Sequence, residues 1–347
     1  MHGVRRQRRA PPSEPEDALQ ARRDAEKRKI DEYVQLCEKL YAKRAAGDCS
    51  AEALDLTTKI LTLNPEFQSA WAFRRRILQD QLGRDQDADA RQKRLEADLQ
   101  LTNIALRRNP KNYSVWEHRK WVLDTMPQAD WSQELALVEA YLQKDGRNFH
   151  TWDYRRYVMA NFLVASPAEG SELSKGQPTL RTELAFTGRK ISENFSNFSA
   201  WHYRTKLLGK LWAEQGLDVR DAARQASLNS EFELVRQALW SDPNDQSAWL
   251  YHRWLIGQVP LEGVRREIKG CEELLEEEPD CRWVLDSIVT YKRILSKQLE
   301  QQAGGPADEA DALKMECVDM LQRLQEVDPM RRARYVDLSL EIVPARR

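Results

Sequence analysis

The chain has 347 residues, of which 41% are apolar, enough to bury a sizeable core in one elongated domain or in two compact ones. Charged residues make up 31%, yet the formal net charge is only −1, which argues against a general nucleic-acid binder because such proteins are basic. Gly and Pro are scarce, at 14 residues each, which favours helices over sheets.

The N-terminal residues 1–15 are basic and rich in proline, a composition typical of a flexible tail. No apolar stretch follows them, so we expect no secretory signal, and no apolar run approaches the ~18 residues that span a bilayer. The five cysteines form no CxxC pair, which is typical of free thiols in a reducing compartment. These features predict a cytoplasmic protein. The histidines show no HExxH motif, so we expect no metal site on this chain alone.

From residue 16 onward, a charged helix is expected to lead into a series of helical hairpins. A tryptophan-centred segment then recurs along the chain, at Trp71, Trp116, Trp152, Trp201 and Trp249. The spacings between these tryptophans are 45, 36, 49 and 48 residues. A sixth, weaker copy lies around Trp283, and a seventh has Tyr335 in place of the tryptophan. Self-similarity at such a period indicates stacked units.

The first four copies share the motif W-x-x-R-x-x-x-[LM], and the fifth has His252 in place of the arginine. Offsets of 3 and 7 residues place the three side chains on one face of a helix. Four residues before the tryptophan stand residue types that cap helices, Asn112, Asn148, Asn197 and Asp245. We expect the tryptophan to fill the gap between hairpins. The arginine is expected to stack on an indole and to donate to carbonyls of the preceding turn.

The helices at the tryptophan positions are predicted near residues 67–80, 113–125, 149–164, 198–214, 246–258, 281–297 and 331–343. Amphipathic stretches such as 131–146 and 230–243 are expected to pair with them across Asn-Pro or Asp-Pro turns. Because one hairpin cannot bury its own apolar stripe, about seven antiparallel hairpins would stack into an all-α solenoid, a right-handed superhelical crescent. We predict a single domain over 16–347, with longer loops at 83–94, 165–179 and 300–311.

Differences between the copies indicate where function could lie. Five residues before each tryptophan stand Glu66, Lys111, Arg147, Ser196 and Asn244, so the only two cations belong to neighbouring copies. Tyr113 stands beside the first of them. Helix N-termini favour anions, and lysine, arginine and tyrosine add donors, so this region could bind a phosphate or diphosphate. Two solvated basic residues at turns are the alternative. No P-loop and no nucleophile–base pair accompanies them, so the chain carries at most part of an active site.

The motif W-x-x-R preceded by N-[YF]-x-x resembles the repeat of protein prenyltransferase alpha subunits. The resemblance covers roughly residues 30–290. The MHG start and the stretches GRNFHTWDYRR, NFSNFSAWHYR and DPNDQSAWLYHRW make the chain most similar to alpha subunits of type II enzymes, the Rab geranylgeranyltransferases. Two alternatives stay open, the alpha subunit shared by farnesyltransferase and type I enzymes, and a non-catalytic tetratricopeptide-like adaptor. The variable spacing and the retained Trp and Arg disfavour the adaptor.

The resemblance implies an obligate heterodimer with a beta subunit that holds Zn²⁺ and the isoprenoid cavity. Such an enzyme transfers geranylgeranyl groups from geranylgeranyl diphosphate to C-terminal cysteines of Rab GTPases, which a Rab escort protein presents. Zinc is expected to lower the pKa of the acceptor thiol. Some type II alpha subunits also carry immunoglobulin-like and leucine-rich domains, and neither is expected in this chain.

The resemblance also implies roles for particular residues. In the family, a lysine and a tyrosine of one repeat turn and an asparagine of the next approach the diphosphate. The matching positions are Lys111 and Tyr113, as catalytic residues, and Asn148, with Arg147 beside it, as diphosphate-binding residues. His2 is a speculative ligand of the partner's zinc.

Overall fold

The computed structural model describes residues 16–165, 179–301 and 307–342. Within these ranges the secondary structure is helical throughout, so the prediction of an all-α protein built from repeated helical pairs is confirmed. The helices are α1 (Glu16–Ala45), α2 (Ala51–Leu63), α3 (Gln68–Arg84), α4 (Ala88–Arg108), α5 (Tyr113–Thr125), α6 (Trp131–Lys144), α7 (Phe149–Ala165), α8 (Leu180–Glu193), α9 (Phe198–Glu214), α10 (Ala222–Ser241), α11 (Gln246–Ile256), α12 (Leu261–Glu277), α13 (Arg282–Gln301), α14 (Ala307–Val327) and α15 (Arg332–Ile342).

The contacts group the chain into two compact units. Among the described residues, the first consists of 16–141 and 153–158, and the second of 142–152, 159–165, 179–301 and 307–342. In the first unit, α2 packs on α3 and α4 on α5. In the second unit, α8 packs on α9, α10 on α11, α12 on α13 and α14 on α15. The single domain over 16–347 stays a prediction.

Two predicted loops and the N-terminal tail lie wholly or partly outside the described residues. These are the tail 1–15 with His2, most of the loop 165–179, and the centre of the loop 300–311. The predicted loop at 83–94 is wrong. Helix α3 continues to Arg84, and Asp87 caps α4 by accepting a 2.9 Å hydrogen bond from the Asp89 backbone N–H. The polar composition of this stretch belongs to an exposed first turn of α4.

The capping residues lie where the sequence predicts them. Side-chain oxygens of Asn112 and Asn197 accept hydrogen bonds from backbone N–H groups three residues later, at 3.3 and 3.2 Å. Asp245 accepts from the N–H two residues later, at 2.8 Å. These bonds satisfy N–H groups that have no partner within the helix, and they fix the residue at which each helix begins.

Each repeat tryptophan holds the turn that precedes its own helix. The indole N–H donates to the carbonyl six residues earlier, over 2.8 Å from Trp71 to Pro65, 2.9 Å from Trp116 to Pro110, 2.8 Å from Trp152 to Gly146, 2.7 Å from Trp201 to Phe195 and 2.7 Å from Trp249 to Pro243. The five side chains are 0–3% exposed. The tryptophans therefore act as core residues whose polar edge is satisfied locally.

The repeat arginines join successive helical pairs instead of binding turn carbonyls, so that part of the prediction is wrong. Arg119 donates to the Leu99 carbonyl (3.2 Å) and the Thr102 hydroxyl (2.7 Å) on α4. Its other nitrogens donate to both carboxylate oxygens of Glu134 on α6, at 2.8 and 2.5 Å. Tyr154 of α7 donates to the same carboxylate over 2.5 Å. The turn carbonyl of Pro110 accepts the indole N–H of Trp116 instead.

The same arrangement recurs at two other junctions, and we call it the arginine–carboxylate clasp. Its members there are Arg74, Asp98 and His118 in the first unit, and Arg204, Glu231 and Tyr251 in the second. Burial alone would lower the pKa of Arg119, but the hydrogen bonds and charges of Glu134 and Tyr154 outweigh it and raise that pKa. The guanidinium stays charged inside the core.

The sixth copy is centred on Leu285, two residues beyond the predicted Trp283. Leu285 lies six residues after Pro279, the same offset as from Pro243 to Trp249, and is 0% exposed. Its backbone N–H donates to the carbonyl four residues earlier, as that of Trp201 does. In the seventh copy, Tyr335 takes this place and packs in a buried cluster with Leu285.

The fifth copy has a titratable group in the position of the arginine. His252 Nε2 lies 3.2 Å from Glu267, and Nδ1 lies 2.7 Å from the Tyr291 hydroxyl. Burial lowers the pKa of His252, and Glu267 offsets this only in part. Burial acts to raise the pKa of Glu267, but His252, Arg236 and Arg266 outweigh it and lower the pKa to about 2.

Two further sequence predictions concern the thiols and the membrane. The five cysteines are free, as predicted. Across the described ranges, no helix combines the length and the apolar character needed to cross a membrane.

Arg119→Ala is expected to lower the stability of the protein by about 3–5 kcal/mol, because it leaves the Glu134 carboxylate buried without its cation. Thermal and urea denaturation measure the change. Arg84→Ala is the matched control, since Arg84 forms an exposed pair with Asp80 that contributes at most about 1 kcal/mol. Equal melting temperatures for Arg119→Ala and the control would contradict the clasp.

His252 makes stability depend on pH. As the pH falls below about 6.5, the unfolded chain binds a proton that folded His252 resists, so stability is lost on acidification. Glu267 adds a further loss between its unfolded value of 4.5 and about 2. His252→Gln removes the first contribution, so urea unfolding should show a smaller loss between pH 7 and pH 5. Parallel losses in both proteins would refute this assignment.

Candidate functional site

Lys111 and Tyr113 lie in one turn of the first unit, between α4 and α5. The Lys111 backbone N–H donates to Asn109 Oδ1 over 3.0 Å, which closes an Asx turn. Asn112 caps α5, and Tyr113 is the first residue of that helix. The indole of Trp116 holds the Pro110 carbonyl of the same turn at 2.9 Å. The backbone that carries Lys111 and Tyr113 is thus fixed on both sides of the cap.

The side chains of this turn differ sharply in exposure. Tyr113 is 62% exposed and Lys111 is exposed, whereas Asn112 between them is 5% exposed. The structure therefore places the two predicted catalytic residues side by side at the N-terminal end of α5. A helix N-terminus favours negative charge, and an ammonium and a phenol add strong donors. This combination suits an anion that lies outside the helix end.

Arg147 and Asn148 lie in the second unit, at the start of α7. The Arg147 backbone N–H donates to Asp145 Oδ1 over 3.2 Å, and the Arg147 side chain is exposed. Asn148 is 3% exposed, and its Oδ1 accepts from the N–H groups of His150 (3.1 Å) and Thr151 (3.4 Å). The two predicted diphosphate residues thus differ, because one presents a cation to solvent and the other caps a helix.

The contact between Asn109 and Glu66 in the first unit could not be predicted from the sequence. Asn109 Nδ2 donates to Glu66 Oε1 over 3.0 Å, and Glu66 lies in the turn of the preceding repeat. Glu66 stands five residues before its tryptophan, as Lys111 does before Trp116. An Asn-Pro pair occurs at both turns, but nothing in that pair indicates that one asparagine amide reaches a carboxylate 43 residues away.

Lys111, Tyr113 and Arg147 can donate hydrogen bonds, and the lysine and the arginine also carry positive charge. Among residues 16–165, 179–301 and 307–342, no group of three His, Cys, Asp or Glu side chains could hold a metal ion. This part of the chain therefore does not fit a zinc site of its own, and His2 lies outside it. Zn²⁺ on a partner subunit stays a prediction.

Asn112→Ala is expected to destabilise the protein by about 0.5–2 kcal/mol, because the N-terminal N–H groups of α5 lose their cap. Lys111→Ala, one residue away, removes an exposed side chain and should change stability by less than about 0.5 kcal/mol. Urea denaturation of both variants measures the difference. A loss in Lys111→Ala as large as that in Asn112→Ala would contradict the assignment of Lys111 to the surface.

Comparison with protein families identifies the repeat. The family model described as "Protein prenyltransferase alpha subunit repeat" matches residues 50–81, 95–126, 131–162, 180–211 and 228–259. Each match contains one of the five tryptophans and all or most of the helix that precedes it. The sixth and seventh copies lie beyond the matched segments.

Relatives match over different shares of their length. The protein "Geranylgeranyl transferase type-2 subunit alpha" of Schizosaccharomyces pombe is 34% identical, over 99% of this chain and 98% of its own length. Proteins of the same description from Homo sapiens and Mus musculus are 38% and 40% identical over 72% and 70% of this chain. The match covers only 42% and 40% of those two mammalian proteins, so this chain spans less than half of their length.

A solved structure shares the fold. A chain of "Candida albicans protein geranylgeranyltransferase-I complexed with GGPP" superposes with a TM-score of 0.64, over 90% of this chain and 91% of that one. The sequence identity is 19%, so the likeness concerns the fold alone.

Proposed function

Because this chain belongs to the protein prenyltransferase alpha subunit family, among the type-2 geranylgeranyl transferase alpha subunits, we propose that it is one subunit of a Rab geranylgeranyltransferase. With a beta subunit, it transfers geranylgeranyl from geranylgeranyl diphosphate to C-terminal cysteines of Rab GTPases bound to an escort protein. The observation that carries the proposal is the Schizosaccharomyces pombe relative, which matches over nearly the full length of both proteins.

The residues of this chain act on the leaving group. During transfer the bond between C1 of the isoprenoid and the diphosphate oxygen breaks while the bond from C1 to the cysteine sulfur forms. Negative charge develops on the departing diphosphate, and the Lys111 ammonium and Tyr113 hydroxyl donate to it. Donors that are held in place before the reaction stabilise such charge most effectively, and the two bonds of the turn fix the backbone from which both side chains extend.

The second unit offers a further donor. Arg147 is an exposed cation at the start of a helix, as Lys111 is just before α5. Its part in binding diphosphate stays a prediction, as does that of Asn148. The burial and capping role of Asn148 make Arg147 the stronger candidate of the two.

The test is a transfer assay on the chain co-expressed with a type-2 beta subunit. We expect the two chains to copurify and to geranylgeranylate a Rab GTPase only when the escort protein is present. Modification of a CaaX protein without escort would support the alpha subunit shared with farnesyltransferase instead. Failure to copurify with any beta subunit would support the adaptor and sink the proposal.

In the same assay, Lys111→Ala should leave the heterodimer intact and lower kcat about 10²–10³-fold, the usual effect of removing one donor to a developing anion. Tyr113→Phe removes only the hydroxyl and should have a smaller effect. Lys144→Ala is the matched control, because Lys144 is an exposed lysine elsewhere on the chain. Wild-type turnover in Lys111→Ala would exclude the leaving-group role.

A further inference from the structure

The turn that carries Lys111 is bound to the turn of the preceding repeat through a chain of two hydrogen bonds. The Lys111 backbone N–H donates to Asn109 Oδ1 at 3.0 Å, and Asn109 Nδ2 donates to Glu66 Oε1 at 3.0 Å. Both oxygen and nitrogen of one amide are therefore in use. All three residues belong to the first unit. We call the second contact the Glu66–Asn109 pair.

The oxygen of Asn109 makes the same hydrogen bond as the equivalent oxygens in the other four turns that precede a repeat tryptophan. The equivalent side-chain oxygens accept from the backbone N–H two residues later at 3.1, 3.2, 3.0 and 3.1 Å, in Asn64, Asp145, Asn194 and Asp242. Two of these residues are aspartates, so the turn itself needs only the oxygen. The amide nitrogen of Asn109 is not required for the turn, and its bond to Glu66 calls for a separate explanation.

A comparison with the fourth copy indicates what the pair replaces. There, Nδ2 of the capping Asn197 donates to the Gly146 carbonyl of the preceding turn over 2.7 Å and links the two turns. The corresponding Nδ2 of Asn112 is buried and has no hydrogen-bond partner in the described structure. The turn of Lys111 is instead linked to the preceding repeat through Asn109, with Arg108 also donating to the Thr62 carbonyl.

We propose that the Glu66–Asn109 pair positions Lys111 for the leaving diphosphate. Glu66 and Asn109 touch no reacting atom and act only through the turn. The inference rests on the proposed function, because it assumes that Lys111 donates to the diphosphate. Displacements of about 1 Å in a catalytic group can cost up to 10²-fold in rate, so a side chain that fixes the turn can change kcat without altering the fold.

The experiment uses the heterodimer and reverses the polarity of the pair. Asn109→Asp keeps the turn oxygen, as Asp242 does, but sets a carboxylate against Glu66. We expect kcat to fall about tenfold with an unchanged KM for the Rab–escort complex and an unchanged melting temperature. The double variant Glu66→Gln with Asn109→Asp restores the bond with donor and acceptor exchanged, and should recover most of kcat. Glu66→Gln alone keeps the acceptor oxygen and serves as the control.

In a Lys111→Ala background, the positioning role of the Glu66–Asn109 pair can be tested separately from the leaving-group role of Lys111. There, Asn109→Asp should cause no further loss, because the group it positions is gone. Three results would each contradict the positioning role of the Glu66–Asn109 pair: a normal kcat in Asn109→Asp, no recovery in the double variant, or an equal loss in the Lys111→Ala background. The leaving-group role of Lys111 would still stand if Lys111→Ala alone is slow. If Lys111→Ala itself turns over normally, the leaving-group role and the inference fall together.

Discussion

The buried bidentate bond between an arginine and a carboxylate of the next helical pair is the interaction on which the described structure depends most. Arg119 shows its full form, because one guanidinium binds a carbonyl and a hydroxyl of its own helical pair and both oxygens of Glu134 in the following one. A planar fork of donors suits this geometry, whereas lysine would supply a single point of charge. The clasp joins defined residues of neighbouring helical pairs, because each of its bonds needs one particular donor and acceptor.

The clasp also explains why charge occurs so close to tryptophan in these segments. A charge in a core is costly unless it is paired and hydrogen-bonded, and Arg119 and Glu134 satisfy one another at 2% and 1% side-chain exposure. The indole beside them satisfies its own N–H within the turn. The guanidinium, the carboxylate and the indole N–H therefore each have a partner, and the segment can be both charged and buried.

Much of the fold could be predicted because its signals are periodic. The offsets of 3 and 7 from tryptophan and the asparagine four residues before it identify helices and their first residues. The carboxylates could not be predicted in this way, since Asp98, Glu134 and Glu231 lie 24, 15 and 27 residues from their arginines and share no spacing. The misplaced sixth copy shows the opposite error. The copy is predicted at Trp283 because that residue is a tryptophan, whereas the offset of six residues from Pro279 identifies Leu285.

The candidate site was only partly accessible to such reasoning. Lys111 and Tyr113 are conspicuous because other copies have different residues there, and the structure places them together. Asn109 is inconspicuous because an Asx residue stands at that place before each of the five tryptophan helices, and only its contact with Glu66 distinguishes it. Sequence periodicity reports what repeats have in common. A contact made by one member of a repeated set has to be seen in three dimensions.

The anchoring of each turn has an evolutionary consequence. The indole bond and the Asx bond hold the main chain of a turn without help from the side chain five residues before the tryptophan. That position can therefore accept glutamate, lysine, arginine, serine or asparagine, as it does in Glu66, Lys111, Arg147, Ser196 and Asn244, with little effect on folding. Surface chemistry can thus change from one repeat to the next while the same two kinds of bond hold the backbone of each turn.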